Sequence, residues 1–137
     1  MSIRWLYNTQ FKFYICLCAT VVILTGCASQ SDKDKKLTTL VNARAAEITS
    51  GLPVQNGGYT LVMARTSSAE TLDLLVYSDA KNSTDDDRQF LHRFGSDLCK
   101  TTDSLTLLQY GATYRIILRR GNNEENVQLV RSANCLS

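Results

Sequence analysis

The side chains able to do chemistry in this 137-residue chain are five cysteines, one histidine and a run of three aspartates. Cys16 and Cys18 have the spacing of a metal or redox pair, but they lie inside the apolar run Phe13 to Leu24 and are assigned no function. Asp85-Asp86-Asp87 offers carboxylates of the kind calcium takes. Calcium loops, however, space their oxygen donors with intervening residues and a turn glycine, whereas consecutive carboxylates in a first helical turn answer the helix dipole. His92 falls off the apolar stripe of its segment and has no cysteine or acidic nucleophile beside it, so it reads as a surface or rim residue. Ser104 and Ser132 are hydroxyls such as any domain provides. No nucleophile and base stand in a recognisable motif, and neither a Gly-rich phosphate loop nor a Cys/His metal spacing is present. The chain therefore reads as a binding module rather than an enzyme, without metal or cofactor, although a triad assembled in space is invisible to a single sequence.

Cys27 stands apart because it closes Leu24-Thr25-Gly26-Cys27, small residues before a thiol at the end of an apolar run. This resembles the lipobox of bacterial lipoproteins. The resemblance implies that the Cys27 sulfur takes a diacylglyceryl group and that the peptide bond before it is cut. Residues 1–26 are then a signal peptide, with Arg4 and Lys12 in its basic part and Phe13 to Leu24 as its apolar part. That run is short for a membrane-spanning helix, which needs about 20 apolar residues. The resemblance also makes Ala28 the sorting residue. With Ala rather than Asp after the lipidated cysteine, it implies export by the lipoprotein sorting machinery to the inner leaflet of the outer membrane, the domain facing the periplasm.

Removing residues 1–26 leaves 111 of 137, enough for one domain with a modest core. Of the 15 Lys and Arg, Arg4 and Lys12 go with the signal peptide, and the rest balance the 13 Asp and Glu. A neutral chain without basic runs among aromatics gives no indication of nucleic-acid binding. Cysteine arithmetic leaves Cys99 and Cys135, which in an oxidising periplasm most simply form one disulfide; two free thiols are the other outcome.

Several elements must position these groups. Residues 27–36 are polar and charged and read as a flexible tether from the lipidated N-terminus, ahead of a single domain over 37–137. Leu37, Leu40, Val41, Ala45 and Ile48 fall on one side of a helix that Gly51 and Pro53 stop. Tyr59 to Thr66 and Leu72 to Ser78 read as an antiparallel hairpin whose long loop leaves the register open. Ser83 or Thr84 caps a second helix with Phe90, Leu91, Phe94 and Leu98 inward, and a short third helix around Asp103 to Tyr110 ends at Gly111. Ala112 to Arg120 and Asn126 to Arg131 form a second hairpin. The expected fold is α+β, an antiparallel sheet of four to five strands with helices on one face in the order α-β-β-α-α-β-β, closed by one disulfide.

The lipobox, the helix running into Gly51-Leu52-Pro53, the helix ending Asp97-Leu98-Cys99, Gly111-Ala112-Thr113-Tyr114-Arg115 and the near-terminal Cys135 together resemble the beta class of type II secretion pilot lipoproteins, the pilotins. The resemblance covers nearly the whole chain after the lipobox. It implies an outer-membrane lipoprotein that binds the C-terminal segment of a secretin subunit, carries it to the outer membrane and supports its assembly there. The alternative is an envelope lipoprotein serving as a structural or binding subunit of another secretion or surface complex.

The strands carry apolar residues on both faces. With Leu61, Met63, Leu72, Leu74, Val76, Tyr114, Ile116, Leu118, Val127 and Leu129 toward the helices, the other face still holds Val62, Leu75, Tyr77, Ile117 and Val130, with Arg115 and Arg119 beside them. Either a core wraps both sides, or this face is a groove for an amphipathic partner helix, its acidic edge near the arginines. The lipobox reading predicts that Cys27→Ser leaves an unlipidated precursor away from the outer membrane, since stable anchoring takes more than one acyl chain. Unchanged membrane fractionation of that variant would contradict it.

Overall fold

The computed structural model describes residues 30–121 and 124–136. Helix α1 covers residues 30–50, burying Val41 and Ala45 one turn apart, with Leu37, Leu40 and Ile48 half-buried beside them. Residues 30–36, expected as an unstructured tether, are instead helical and exposed. The physical reason is that helix propagation is cheap once a nucleus exists, and this polar stretch contains neither Gly nor Pro to stop it. Gly51 N–H closes α1 on the Ile48 carbonyl at 3.0 Å, and the chain leaves through a cis Leu52–Pro53 peptide.

Five strands follow in sheet order β1-β2-β3-β4-β5: β1 Val54–Asn56, β2 Tyr59–Ser68, β3 Thr71–Ser78, β4 Thr113–Arg120 and β5 Glu124–Val130. Between β3 and β4 the chain forms helix α2 Thr84–Lys100 and helix α3 Thr102–Gln109, and a 3-10 turn over Ser132–Cys135 follows β5. The α+β class, the helices on one face and the two hairpins agree with expectation, while β1 is an added edge strand. One pairing differs: β3 and β4 run parallel, Leu74 opposite Ile116, while the other three pairings are antiparallel. The two-helix connection explains it, because it carries the chain from the end of β3 back to the level of its start, as a parallel pair requires.

Each helix boundary has a local cause. The Ser83 hydroxyl accepts from Asp86 N–H at 3.1 Å while the Asp86 carboxylate accepts from Ser83 N–H at 2.8 Å, a capping box. Gly111, with φ of 104°, ends the turn after α3 in a conformation that a side chain would strain. Asp87 does something else entirely. Only 1% exposed, its carboxylate accepts from Ser78 Oγ at 2.7 Å and Tyr59 Oη at 3.2 Å and pairs with Arg120. The start of α2 is thereby tied to β2, β3 and β4 at one end of the sheet. Burial, and then the hydrogen bond to Asp87, push the Tyr59 phenol up to about 12.

The core lies between the helices and one sheet face. Val41, Leu91, Leu98, Leu107 and Leu108 meet Leu72, Leu74, Val76, Tyr114, Ile116 and Leu118 there. Phe90 stacks on Tyr59 with ring centroids 3.9 Å apart. Cys99, in the last turn of α2, is bonded to Cys135 with Cα atoms 5.2 Å apart, fastening the tail after β5 to the helix layer as the cysteine count suggested. Closing this 36-residue separation constrains the unfolded chain. Cys99→Ser should therefore lower unfolding free energy by about 2 to 5 kcal/mol, read as a shifted denaturant midpoint. Two alkylatable thiols in unreduced protein would contradict the bond.

Candidate functional site

Alternation along each strand sends every second side chain to the face opposite the helices, and the pairing registers align those side chains into rows across the sheet. Met63, Leu75, Ile117 and Val127 are register partners from β2 to β5 and form one apolar row. On one side of it runs Arg65, Asp73, Arg115 and Leu129; on the other, Thr60, Tyr77, Arg119 and Glu125. None of the described helices covers this open face, since α1, α2 and α3 all contribute to the core on the other.

Of the residues expected here, Leu75, Tyr77, Arg115, Ile117 and Arg119 are on the open face. Leu75 and Ile117, at the centre of the row, are only 9% and 8% exposed. Val62 is the extra residue of a β-bulge between Leu61 and Met63 and is exposed. Val130 is a correction: it pairs with Tyr114, is 1% exposed and belongs to the core. Val127 and Leu129, expected toward the helices, occupy the open face in its place, 52% and 43% exposed. A one-residue change of phase moves every side chain of a strand to the other face. In β5 the inner face is Gln128 and Val130, which fit under α2 because Gly95 has no side chain. A Cβ there would stand 2.8 Å from Gln128 Nε2 and 3.2 Å from a Val130 methyl. Met63 is also moved, because the bulge at Val62 shifts the alternation and leaves Leu61 and Ala64 on the core side with Met63 outward.

The charges on this face are unevenly matched. Arg115 donates to both oxygens of Asp73, Nε to Oδ1 at 2.8 Å and Nη2 to Oδ2 at 2.5 Å, and Ser67 Oγ donates to Oδ1 at 2.8 Å. Burial alone would raise the Asp73 carboxyl. The bonds from Arg115 and Ser67, with the charges of Arg115 and Arg65, overcome that and hold it below the ordinary carboxylate range. Arg119 pairs with Glu125 at 2.9 Å. Arg65 was missed by sequence reasoning; its signal was a cation facing Asp73 across a hairpin whose register the loop left open.

Cys27 and Ala28 lie outside the described residues. His92 is exposed and lines a cavity of about 460 Å³ beside the disulfide, with Ser96, Lys100, Gln128 and Asn134. A second cavity of about 280 Å³ lies between α1 and α3, lined by Leu40, Arg44, Glu47, Asp103 and Leu107 among others. Among the described residues no group of three His, Cys, Asp or Glu side chains gathers as a metal site would require. Asp86 and Asp87 are occupied as helix cap and buried ion-pair partner. What the open face can do chemically is bind: it offers apolar side chains framed by guanidinium groups.

The family described as type II secretion system pilotin, S protein, matches residues 33–135. A pilotin named AspS 2 from Escherichia coli O78:H11 is 31% identical over 104 residues, covering 73% of this chain and 74% of that protein. Among solved structures, the pilotin AspS of the Vibrio cholerae type II secretion system is similar with a TM-score of 0.68 at 25% identity, covering 78% of this chain and 99% of that one. The Vibrio vulnificus pilotin EpsS has the same fold, with a TM-score of 0.69 at 22% identity over 77% of this chain and 96% of that one.

The Asp73 cluster predicts an acid-sensitive increment of stability. Because the folded value is lowered, the increment is present above the ordinary value of 3.8 and is lost as pH falls through the lowered one. Asp73→Asn should lack this increment and be destabilised by about 1 to 3 kcal/mol at neutral pH, discounted because Arg115 is partly solvated. Parallel unfolding curves of wild type and variant from neutral pH to pH 2 would contradict it.

Proposed function

This chain belongs to the type II secretion system pilotin S protein family, and on that premise we propose that it carries a secretin subunit to the outer membrane by holding the subunit's C-terminal segment on the open face of its sheet. The observation that carries this reading is the apolar row Met63, Leu75, Ile117 and Val127, extended by exposed Leu129 and Tyr77, on a face that none of the described helices covers. The area an amphipathic segment would withdraw from water lies chiefly on exposed Val127, Leu129 and Tyr77, with Leu75 and Ile117, already buried, forming the floor between them.

The remaining parts of the chain fit that task. A lipid on Cys27 provides the membrane address, and Ala28 passes the protein to outer-membrane sorting. The domain, facing the periplasm, keeps its binding face rigid because the disulfide and the Asp87–Arg120 pair fix the helix layer behind the sheet. The work is binding rather than catalysis: Asp73 and Asp87, the buried carboxylates among the described residues, are both committed to arginines. Neither is placed to move a proton.

Val127→Asp and Leu129→Asp are the direct tests, since both side chains are exposed at the edge of the row and such surface changes alter stability by only about 0.5 kcal/mol. Each should weaken binding of a secretin C-terminal peptide by about tenfold or more, as loss of an apolar anchor does. Titration of folded, disulfide-bonded protein measures it. Equal affinity of both variants and wild type would reject the open face as the binding site.

A further inference from the structure

Arg65 and Arg115 stand on the two strands flanking Asp73, one on each side, and both reach toward it. The bidentate grip of Arg115 and the Ser67 hydroxyl occupy both oxygens of Asp73, which is fully buried. Arg65 Nε stops 3.6 Å from Oδ2, too far for a hydrogen bond, and its side chain is 59% exposed. Two guanidinium groups thus share one carboxylate that cannot reach solvent. The row presents a net positive charge outward, with Arg65 as the group still open to a partner. The other flank is different in kind, because Arg119 is matched by exposed Glu125. Between the flanks the apolar row crosses four strands, about 14 Å at the usual strand spacing. That is the length of roughly nine residues of α-helix.

We infer that Arg65 and Arg115, held apart by Asp73, form a carboxylate-binding subsite that takes an acidic side chain on one flank of a partner helix lying along the apolar row. The inference rests on the reading of the open face as the partner site and adds the direction in which the partner lies. Asp73 acts as a positioning residue. By engaging Arg115 through both its oxygens it fixes that guanidinium against the sheet, and it leaves Arg65 to complete the contact with a charge-assisted hydrogen bond. A helix laid the other way would place its acidic flank beside Glu125 and leave Arg65 unmatched, so the charges discriminate between the two orientations.

The experiment compares the disulfide-bonded protein with Arg65→Glu and Arg65→Gln, titrating each with a synthetic peptide of the C-terminal segment of the secretin from the same secretion system. Arg65→Glu should raise Kd about tenfold at low salt, Arg65→Gln less, and both differences should shrink at about 0.5 M salt, each titration being run well below that variant's own unfolding midpoint because Arg65 also faces buried Asp73. A peptide with its acidic residues changed to lysine should prefer Arg65→Glu over wild type. That rescue is something a merely structural role of Arg65 would not produce. If wild type and both variants bind the native peptide equally at low salt, the subsite is refuted while the open-face reading stands. If wild type binds no peptide at all, the open-face reading falls and takes the subsite with it.

Discussion

The parallel pairing of β3 with β4 is the constraint on which the rest of the structure depends. A parallel pair cannot be closed by a tight turn, so the chain must cross over, and here it does so through α2 and α3. Both crossover helices pack on one face, and α1 joins them through Val41 and Ala45. One face of the sheet is thereby saturated with helix. The same pairing puts Leu75 beside Ile117 at the centre of the opposite face, so the fold itself generates an apolar row with no described helix above it.

Two buried carboxylates hold this arrangement from opposite faces. Asp87 gathers Tyr59, Ser78 and Arg120 on the helix side and ties the start of α2 to the sheet. Asp73 gathers Ser67 and Arg115 on the open side. Removing one member of such a pair costs more than the pair contributes, because a charge is left buried without a partner. Each pair links strands or a helix start that are distant in sequence, Asp73 to Arg115 and Asp87 to Arg120. The disulfide has a different task, since it keeps the tail after β5 on the helix layer.

Much of this was legible from the residues. Ser83 with Asp86 three residues on, and Gly111 after the Leu107-Leu108 pair, are local signals whose physics needs no tertiary context, and both helix boundaries followed. Cysteine counting pointed to the disulfide and left free thiols as the other outcome, which the 5.2 Å approach of the two Cα atoms decides. The sheet faces were legible in part. Leu75, Tyr77, Arg115, Ile117 and Arg119 alternate cleanly, but β5 offers Val127 and Leu129 in one phase and Val130 in the other. Only the close approach of Gln128 and Val130 to Gly95 decides between them, and that contact joins residues more than thirty positions apart. The bulge at Val62 has no glycine or proline to announce it, and the parallel pairing depends on where a 34-residue connection returns. Arg65 escaped for the same reason: its meaning lies in register. The comparisons establish the pilotin family and leave the partner's place on the surface to physical argument.

The most direct measurement of that place is the backbone amide spectrum of the isotopically labelled protein, recorded as a secretin C-terminal peptide is added. Binding on the open face would give saturable shifts concentrated at Leu75, Tyr77, Arg115, Ile117, Val127 and Leu129, with the outward face of α1 and α3 unchanged. Shifts gathered instead around Leu40, Arg44 and Thr106, in the cavity between those two helices, with the open face silent, would contradict it.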